Sequence, residues 1–123
     1  MQLRRYLGSH SRRALTFWFE NLIALHLLKL CHFLHDREGF AAELHYLRDR
    51  TGREVDFLVT VDRRPWFVVQ AKLTVTTIEP GLIYFRDRLR ISWVYQVVLE
   101  GKRDFVQNDI RCLPARQFLE ALV

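Results

Sequence analysis

An aspartate and a lysine stand inside two of the most apolar stretches of this chain. Asp56 lies in Arg53-Glu54-Val55-Asp56-Phe57-Leu58-Val59, and Gln70-Ala71-Lys72 begins fourteen residues after it. Both segments read as buried strands, where charge persists only if it is paired or used. An acid on one strand and an x-Lys pair on the next is the layout that metal-dependent phosphodiester hydrolysis needs. Asp56 supplies a hard oxygen ligand suited to Mg²⁺ or Mn²⁺, and Gln70 offers its amide oxygen. Lys72 then stands near the attacking water, lowering its pKa or stabilising the phosphorane charge. Glu20, an acid on an otherwise apolar helix stripe, joins through an intervening water. The same residues also have a structural reading, with Asp56 and Lys72 as an ion pair and Glu20 capping a buried donor.

These side chains need a helix and three strands to position them. Ala14 to about His35 reads as a helix, ended by Asp36-Arg37-Glu38-Gly39. Phe19, Ile23, Leu27, Leu30 and Leu34 define its core side, and Glu20 lies there too. Asn21, Lys29, His32 and His35 form its solvent face. Trp18, Leu25 and Leu28 widen the apolar surface and suggest a second contact. Strands are expected over 43–48, 53–61 and 65–73. A second helix over 78–89 has Thr77 as its expected N-cap and Pro80 in its first turn. A fourth, internal strand spans 92–99, a short strand lies near 110–112, and a closing helix runs from Pro114 to Leu122. The order α-β-β-β-α-β predicts an α/β fold around a mixed sheet flanked by helices.

Strand periodicity makes the site depend on register. Glu54, Asp56, Leu58 and Thr60 are expected on one face of the second strand, and Trp66, Val68, Gln70 and Lys72 on one face of the third. A three-residue loop, 62–64, pairs Val61 with Pro65. It sets Asp56 opposite Gln70 and Glu54 opposite Lys72. A two- or four-residue loop sends Asp56 to the other face.

Composition sets the limits. The 123 residues suit one domain over 1–123; half are hydrophobic and 13% aromatic, which argues against disorder. The net charge of +5 is compatible with a polyanionic partner. Arg63-Arg64, at the expected hairpin tip, is a basic pair placed to touch a phosphate backbone near the site, with an ordinary solvated face as the alternative reading. Trp66 and Trp93 are expected to pack in or beside the sheet, with base stacking the lesser reading. Cys31 and Cys112 have no metal-ligand spacing and fit free core thiols in a reducing compartment. No secretory signal is evident, and Leu22 to Leu34 is broken by His26, Lys29 and His32. The expectation is therefore a cytoplasmic protein without a membrane span.

Glu20, Asp56 and Gln70-Ala71-Lys72 together resemble the PD-(D/E)XK nuclease superfamily. More narrowly, the segment Phe19-Glu20-Asn21-Leu22-Ile23-Ala24-Leu25-His26-Leu27-Leu28-Lys29 carries a family resemblance. With Leu44-His45-Tyr46-Leu47-Arg48 and the run around Asp56, it is similar to the C-terminal domain of unknown function attached to prokaryotic P-loop ATPases. The resemblance covers roughly residues 15–100. It implies a restriction-endonuclease-like core with Glu20, Asp56, position 70 and Lys72 at the site positions. It also implies Mg²⁺ or Mn²⁺ as cofactor and DNA as substrate. The family usually has Glu where this chain has Gln70, so divalent-ion binding is expected to be weakened. No Gly-x-x-x-x-Gly-Lys-Ser/Thr loop occurs, so the ATPase module is expected to lie outside this chain. The alternative function is a catalytically silent interaction module, contacting an ATPase domain or a second copy through its first helix.

Overall fold

The computed structural model describes residues 12–74 and 77–122. The elements are α1 (Arg12–Glu38), β1 (Ala42–Arg48), β2 (Glu54–Val61), β3 (Arg64–Thr74), α2 (Pro80–Leu89), β4 (Trp93–Glu100), β5 (Phe105–Gln107), β6 (Ile110–Pro114) and α3 (Ala115–Ala121). The α-β-β-β-α-β order is the one expected, and the class is α/β. Among the described residues the strands form one mixed sheet in the order β1-β2-β3-β4-β6-β5. β1, β2 and β3 pair antiparallel, whereas β3, β4 and β6 run parallel. The parallel step from β3 to β4 needs a crossover, which α2 provides.

Each face of the sheet has its own core. On one face α1 buries Leu15, Phe19, Ile23, Leu27 and Cys31 against Val59, Phe67, Val69, Ala71 and Val97. On the other, Leu82 and Phe85 of α2 pack on Val55, Leu58, Val68 and Val94. Helix α1 is long and apolar enough to cross a membrane by length and composition alone. Its buried stripe nonetheless packs on the sheet, as in the core helix of a folded domain. That stripe continues to Cys31, while Leu30 and Leu34 are only half-buried. Asn21, Lys29, His32 and His35 are exposed as expected, and so are Phe17, Leu25, Leu28 and Phe33.

The β2–β3 hairpin departs from the expected register in an instructive way. Val61 pairs with Arg64, so the loop has two residues, Asp62 and Arg63, rather than three. Both take the left-handed conformation (φ 51° and 68°), as a twisted two-residue turn requires. Thr60 then pairs with Pro65 but Val59 with Phe67, which leaves Trp66 as the extra residue of a β-bulge. The bulge restores the sum of paired positions that the three-residue loop had implied: Phe57 pairs with Val69.

A second bulge lies on the other edge of β2. His45 pairs with Leu58 and Leu47 with Val55, so Asp56 and Phe57 together face Tyr46. Val55 and Leu58 consequently both enter the α2 core, and Phe57 and Val59 the α1 core. Simple alternation fails here. Asp56 does not share a face with Leu58, as the sequence had suggested, but turns toward α1.

Two further expectations are corrected. Helix α2 begins at Pro80, with Glu79 and not Thr77 at the N-cap, and no side chain caps it. Strand β5 was not anticipated; it is short and, among the described residues, pairs only with β6. Cys31 and Cys112 are buried free thiols. At the start of α2, Gly81 packs directly on β2. A Cβ built there stands 2.5 Å from the Glu54 carbonyl oxygen. Gly81→Ala is expected to push α2 off the strand and cost about 1–3 kcal/mol, measurable by denaturant unfolding.

Candidate functional site

The β2–β3 pairing reaches Phe57↔Val69, and side chains bridge the strands beyond it. The Asp56 backbone N–H donates to Gln70 Oε1 (3.1 Å), and the Ala71 N–H donates to Asp56 Oδ2 (2.9 Å). Asp56 and Gln70 are thus brought together as expected, both buried. They exchange bonds through each other's strand instead of facing one another across a flat ladder.

Asp56 opens into a small pocket of about 150 Å³, lined by Phe17, Glu20, Asn21, Ala24, Tyr46 and Phe57. Helix periodicity explains the α1 contribution, since residues 17, 20, 21 and 24 lie at spacings of three and four. Burial pushes the Asp56 carboxyl up to about 7. The Ala71 N–H bond and the Lys72 charge oppose that rise, while the Glu20 and Glu54 charges add to it. Burial also raises Glu20, with Glu54 adding and Lys72 opposing. Tyr46 donates to Glu54 Oε2 (3.1 Å), and burial followed by that bond raises its phenol. Two acids, the buried Asp56 and the half-buried Glu20, therefore share this corner, with the exposed Glu54, held by Tyr46 and Arg48, at its edge.

Lys72 is only partly where the sequence put it. Val68 lies in the α2 core and Val69 and Ala71 in the α1 core, so Gln70 and Lys72 alternate toward α2. Lys72 Nζ pairs with Glu79 Oε2 at 2.5 Å, both half-buried. Its partner is neither Asp56, as the structural reading required, nor Glu54, as the register implied. Glu54 pairs instead with Arg48 (3.5 Å). The lysine's charge still reaches Asp56 and Glu20 from across the sheet plane.

Glu79 and Gln96 were not anticipated from the sequence. Gln96 is fully buried. Its Oε1 accepts the Glu79 backbone N–H (2.9 Å) and its Nε2 donates to the Thr77 carbonyl (3.0 Å). The signal was present, because Gln96 interrupts an apolar strand just as Asp56 does. Arg63 and Arg64 are exposed at the hairpin tip, but the structure does not bring them to this site. Arg64 and Lys72 are eight residues apart on one strand, roughly 25 Å at the usual strand rise.

The donor chemistry bears on a metal. Carboxylate and amide oxygens suit Mg²⁺ or Mn²⁺ in kind. Among the described residues, however, no three His, Cys, Asp or Glu side chains converge on a common ion position. The exposed histidines add none: His32 and His35 face solvent, and His45 Nε2 is bonded to Thr60 Oγ1 (3.1 Å). An ion here would have Asp56 as its principal anchor and keep most of its water, which Mg²⁺ tolerates.

The profile of a family designated DUF4143, a domain of unknown function, matches residues 15–118. The chain belongs to that family. The match runs from the first turns of α1 to the middle of α3, so both cores and every residue of the Asp56 pocket fall inside the DUF4143 domain. No curated protein and no solved structure matches the chain.

Proposed function

We propose that this DUF4143 domain is a PD-(D/E)XK nuclease-like module that hydrolyses phosphodiesters in DNA with a divalent metal. The observation that carries this reading is the Asp56 corner. A buried acid, re-aimed by a β-bulge, meets Glu20 from α1, Gln70 from β3 and the charge of Lys72. Like charges crowded in a low-dielectric pocket are costly for stability, and a cation relieves that cost. Asp56 would anchor the ion, with Glu20 as an outer acid acting through water. Mg²⁺ or Mn²⁺ would acidify a water and offset charge on the phosphate. Gln70 already spends its amide oxygen on the Asp56 N–H, so it holds the aspartate's backbone and adds no charge to an ion. Lys72, on the α2 side and paired with Glu79, reaches this corner only as positive potential from across the sheet.

Gln70→Glu tests the weak point. It keeps an acceptor for the Asp56 N–H and restores a carboxylate. Mn²⁺ affinity, followed by electron paramagnetic resonance titration, is expected to rise about 10-fold or more. Equal affinity in the parent, Gln70→Glu and Asp56→Asn proteins would remove the metal from this corner.

A second reading has its own observation. Phe17, Leu25, Leu28 and Phe33 are exposed on α1, the surface an interaction module needs. In that reading the domain is catalytically silent and α1 meets an ATPase domain or a second copy. A monodisperse monomer by light scattering counts against self-association.

A further inference from the structure

Helix α1 leaves one complete row of residues outside both cores. Phe17, Asn21, Leu25, Lys29 and Phe33 follow one another at intervals of four, the spacing of a ridge along a helix surface. All five are exposed, the three apolar ones at 69%, 59% and 52%. The order is a palindrome in character: ring, polar group, leucine, polar group, ring. Leu25 is its centre. Trp66 and Trp93, expected to pack in or beside the sheet, are exposed as well, but they lie on β3 and β4 and form no such row.

A palindromic ridge fits a second copy of itself. Under a two-fold axis at Leu25, the surface that meets and the surface that is met are the same. Leu25 then lies against the partner's Leu25, Phe17 against the partner's Phe33, and Asn21 against the partner's Lys29. Ridges of this spacing cross at about 50°, with the helix axes about 8–10 Å apart. The polar pair is complementary. Asn21 Nδ2 donates to the Phe17 carbonyl (2.7 Å), which leaves Oδ1 to accept. Lys29 is exposed and has no ion pair among the described residues, so its ammonium is available to donate. The two Lys29 groups fall on opposite sides of the axis, about 12 Å apart along the helices. The next members of the row, Arg13 and Arg37, carry like charge and confine the contact to these five residues.

The same row borders the Asp56 pocket, where Phe17, Glu20, Asn21 and Ala24 form the α1 wall. A lysine set against Asn21 therefore stands one residue from Glu20. Neither Glu20 nor Asp56 has an ion-pair partner among the described residues. We infer that α1 pairs with α1 of a second copy about Leu25, and that the partner's Lys29 supplies a cation to the acidic wall of the Asp56 pocket. The flexible four-carbon stem of a lysine gives its ammonium the reach to Glu20. An ATPase domain or other unlike partner draws on no palindrome, whereas a two-fold pair requires a self-complementary surface. The inference rests on the exposed α1 surface of the second reading. It needs neither catalytic silence nor the hydrolytic reading.

The test is sedimentation equilibrium of the full chain in EDTA and without DNA, so that it reads neither metal binding nor cleavage. One helix-on-helix contact lies at the small end of specific interfaces, and a dimer with a dissociation constant of roughly 10 μM is expected. Leu25→Glu sets two carboxylates against each other at the axis and is expected to weaken association about 100-fold. Lys29→Glu replaces the cation beside Glu20 with an acid and is expected to weaken it about 10-fold. Unfolding curves establish that both variants are folded. Leu25→Cys is expected to link to its own copy on mild oxidation, because the axis brings the two Cβ atoms together. Val106→Cys, also exposed but on β5, is not. Cys31 and Cys112 are buried and take no part. Any one of three outcomes overturns the proposal: a monomer at concentrations far above that constant, a dimer left intact by folded Leu25→Glu or Lys29→Glu, or linkage of Val106→Cys as ready as that of Leu25→Cys. A monomer that binds phosphatidylcholine vesicles through this face assigns it to a membrane and overturns the proposal as well. Failure here leaves the hydrolytic reading standing, and uncut DNA in a cleavage assay leaves the dimer standing.

Discussion

Asp56→Asn is expected to make the protein more stable at pH 8 while abolishing its metal response. The folded-state carboxyl lies at about 7, against an ordinary 3.8. The folded protein therefore holds a proton that the unfolded chain releases between those values. Stability from this group is fully present below about pH 4 and is lost as pH rises through 7. Three units correspond to about 4 kcal/mol, an upper figure for the penalty carried at pH 8. Asparagine removes the ionisation and keeps an oxygen to accept the Ala71 N–H. Its advantage over the parent is expected to be near zero at pH 4 and roughly 2–4 kcal/mol at pH 8, read from urea unfolding across that range. Added Mn²⁺ should raise the melting temperature of the parent and leave Asp56→Asn unchanged. A variant less stable than the parent at pH 8 would instead mark Asp56 as a structural acid.

Gln96→Leu carries the second large effect, in the opposite direction. Leucine is close in size, so little cavity is left, but the bonds to the Glu79 N–H and the Thr77 carbonyl vanish. The Glu79 N–H and the Thr77 carbonyl lose their partner at the entry to α2. Unpaired groups of this kind cost about 1–3 kcal/mol each, and partial access to water moderates the sum. An overall loss of about 2 kcal/mol is expected, or roughly 5–10 °C in melting temperature for a domain of this size. Because Gln96 seats Glu79, and Glu79 holds Lys72, amide exchange in α2 should accelerate together with the unfolding change. A Gln96→Leu protein as stable as the parent would show that the α2 entry is fixed by other contacts, chiefly Gly81 on Glu54.

The element order was legible because apolar periodicity carries it. The α1 stripe and the runs in β2 and β3 leave little choice of partner face. Of the candidate site, the nearness of Asp56 and Gln70 was legible, and the placement of Lys72 was not. Asp56 was marked by being an acid in an apolar strand, and Glu20 by lying on a buried stripe. The two bulges were not legible. Whether a hairpin closes with a two-residue turn plus an extra Trp66, or with a three-residue loop, depends on how Phe67 packs on Tyr95, and Tyr95 on Phe118. Those partners lie far along the chain. The bulge opposite Tyr46 likewise depends on β1, and it moved Asp56 to the α1 side. Glu79 escaped notice because its role comes from β4, through Gln96. Strand β5 escaped because it is three residues long and gains its pairing only from β6.

Metal-dependent cleavage is the most direct test of the central claim. Purified chain at micromolar concentration would be incubated with Mn²⁺ or Mg²⁺ and labelled linear, single-stranded and branched DNA, beside Asp56→Asn and Gln70→Glu. The account predicts slow cutting by the parent that EDTA stops, faster cutting by Gln70→Glu and none by Asp56→Asn. Intact DNA with both the parent and Gln70→Glu, or cleavage that survives in Asp56→Asn, would contradict it.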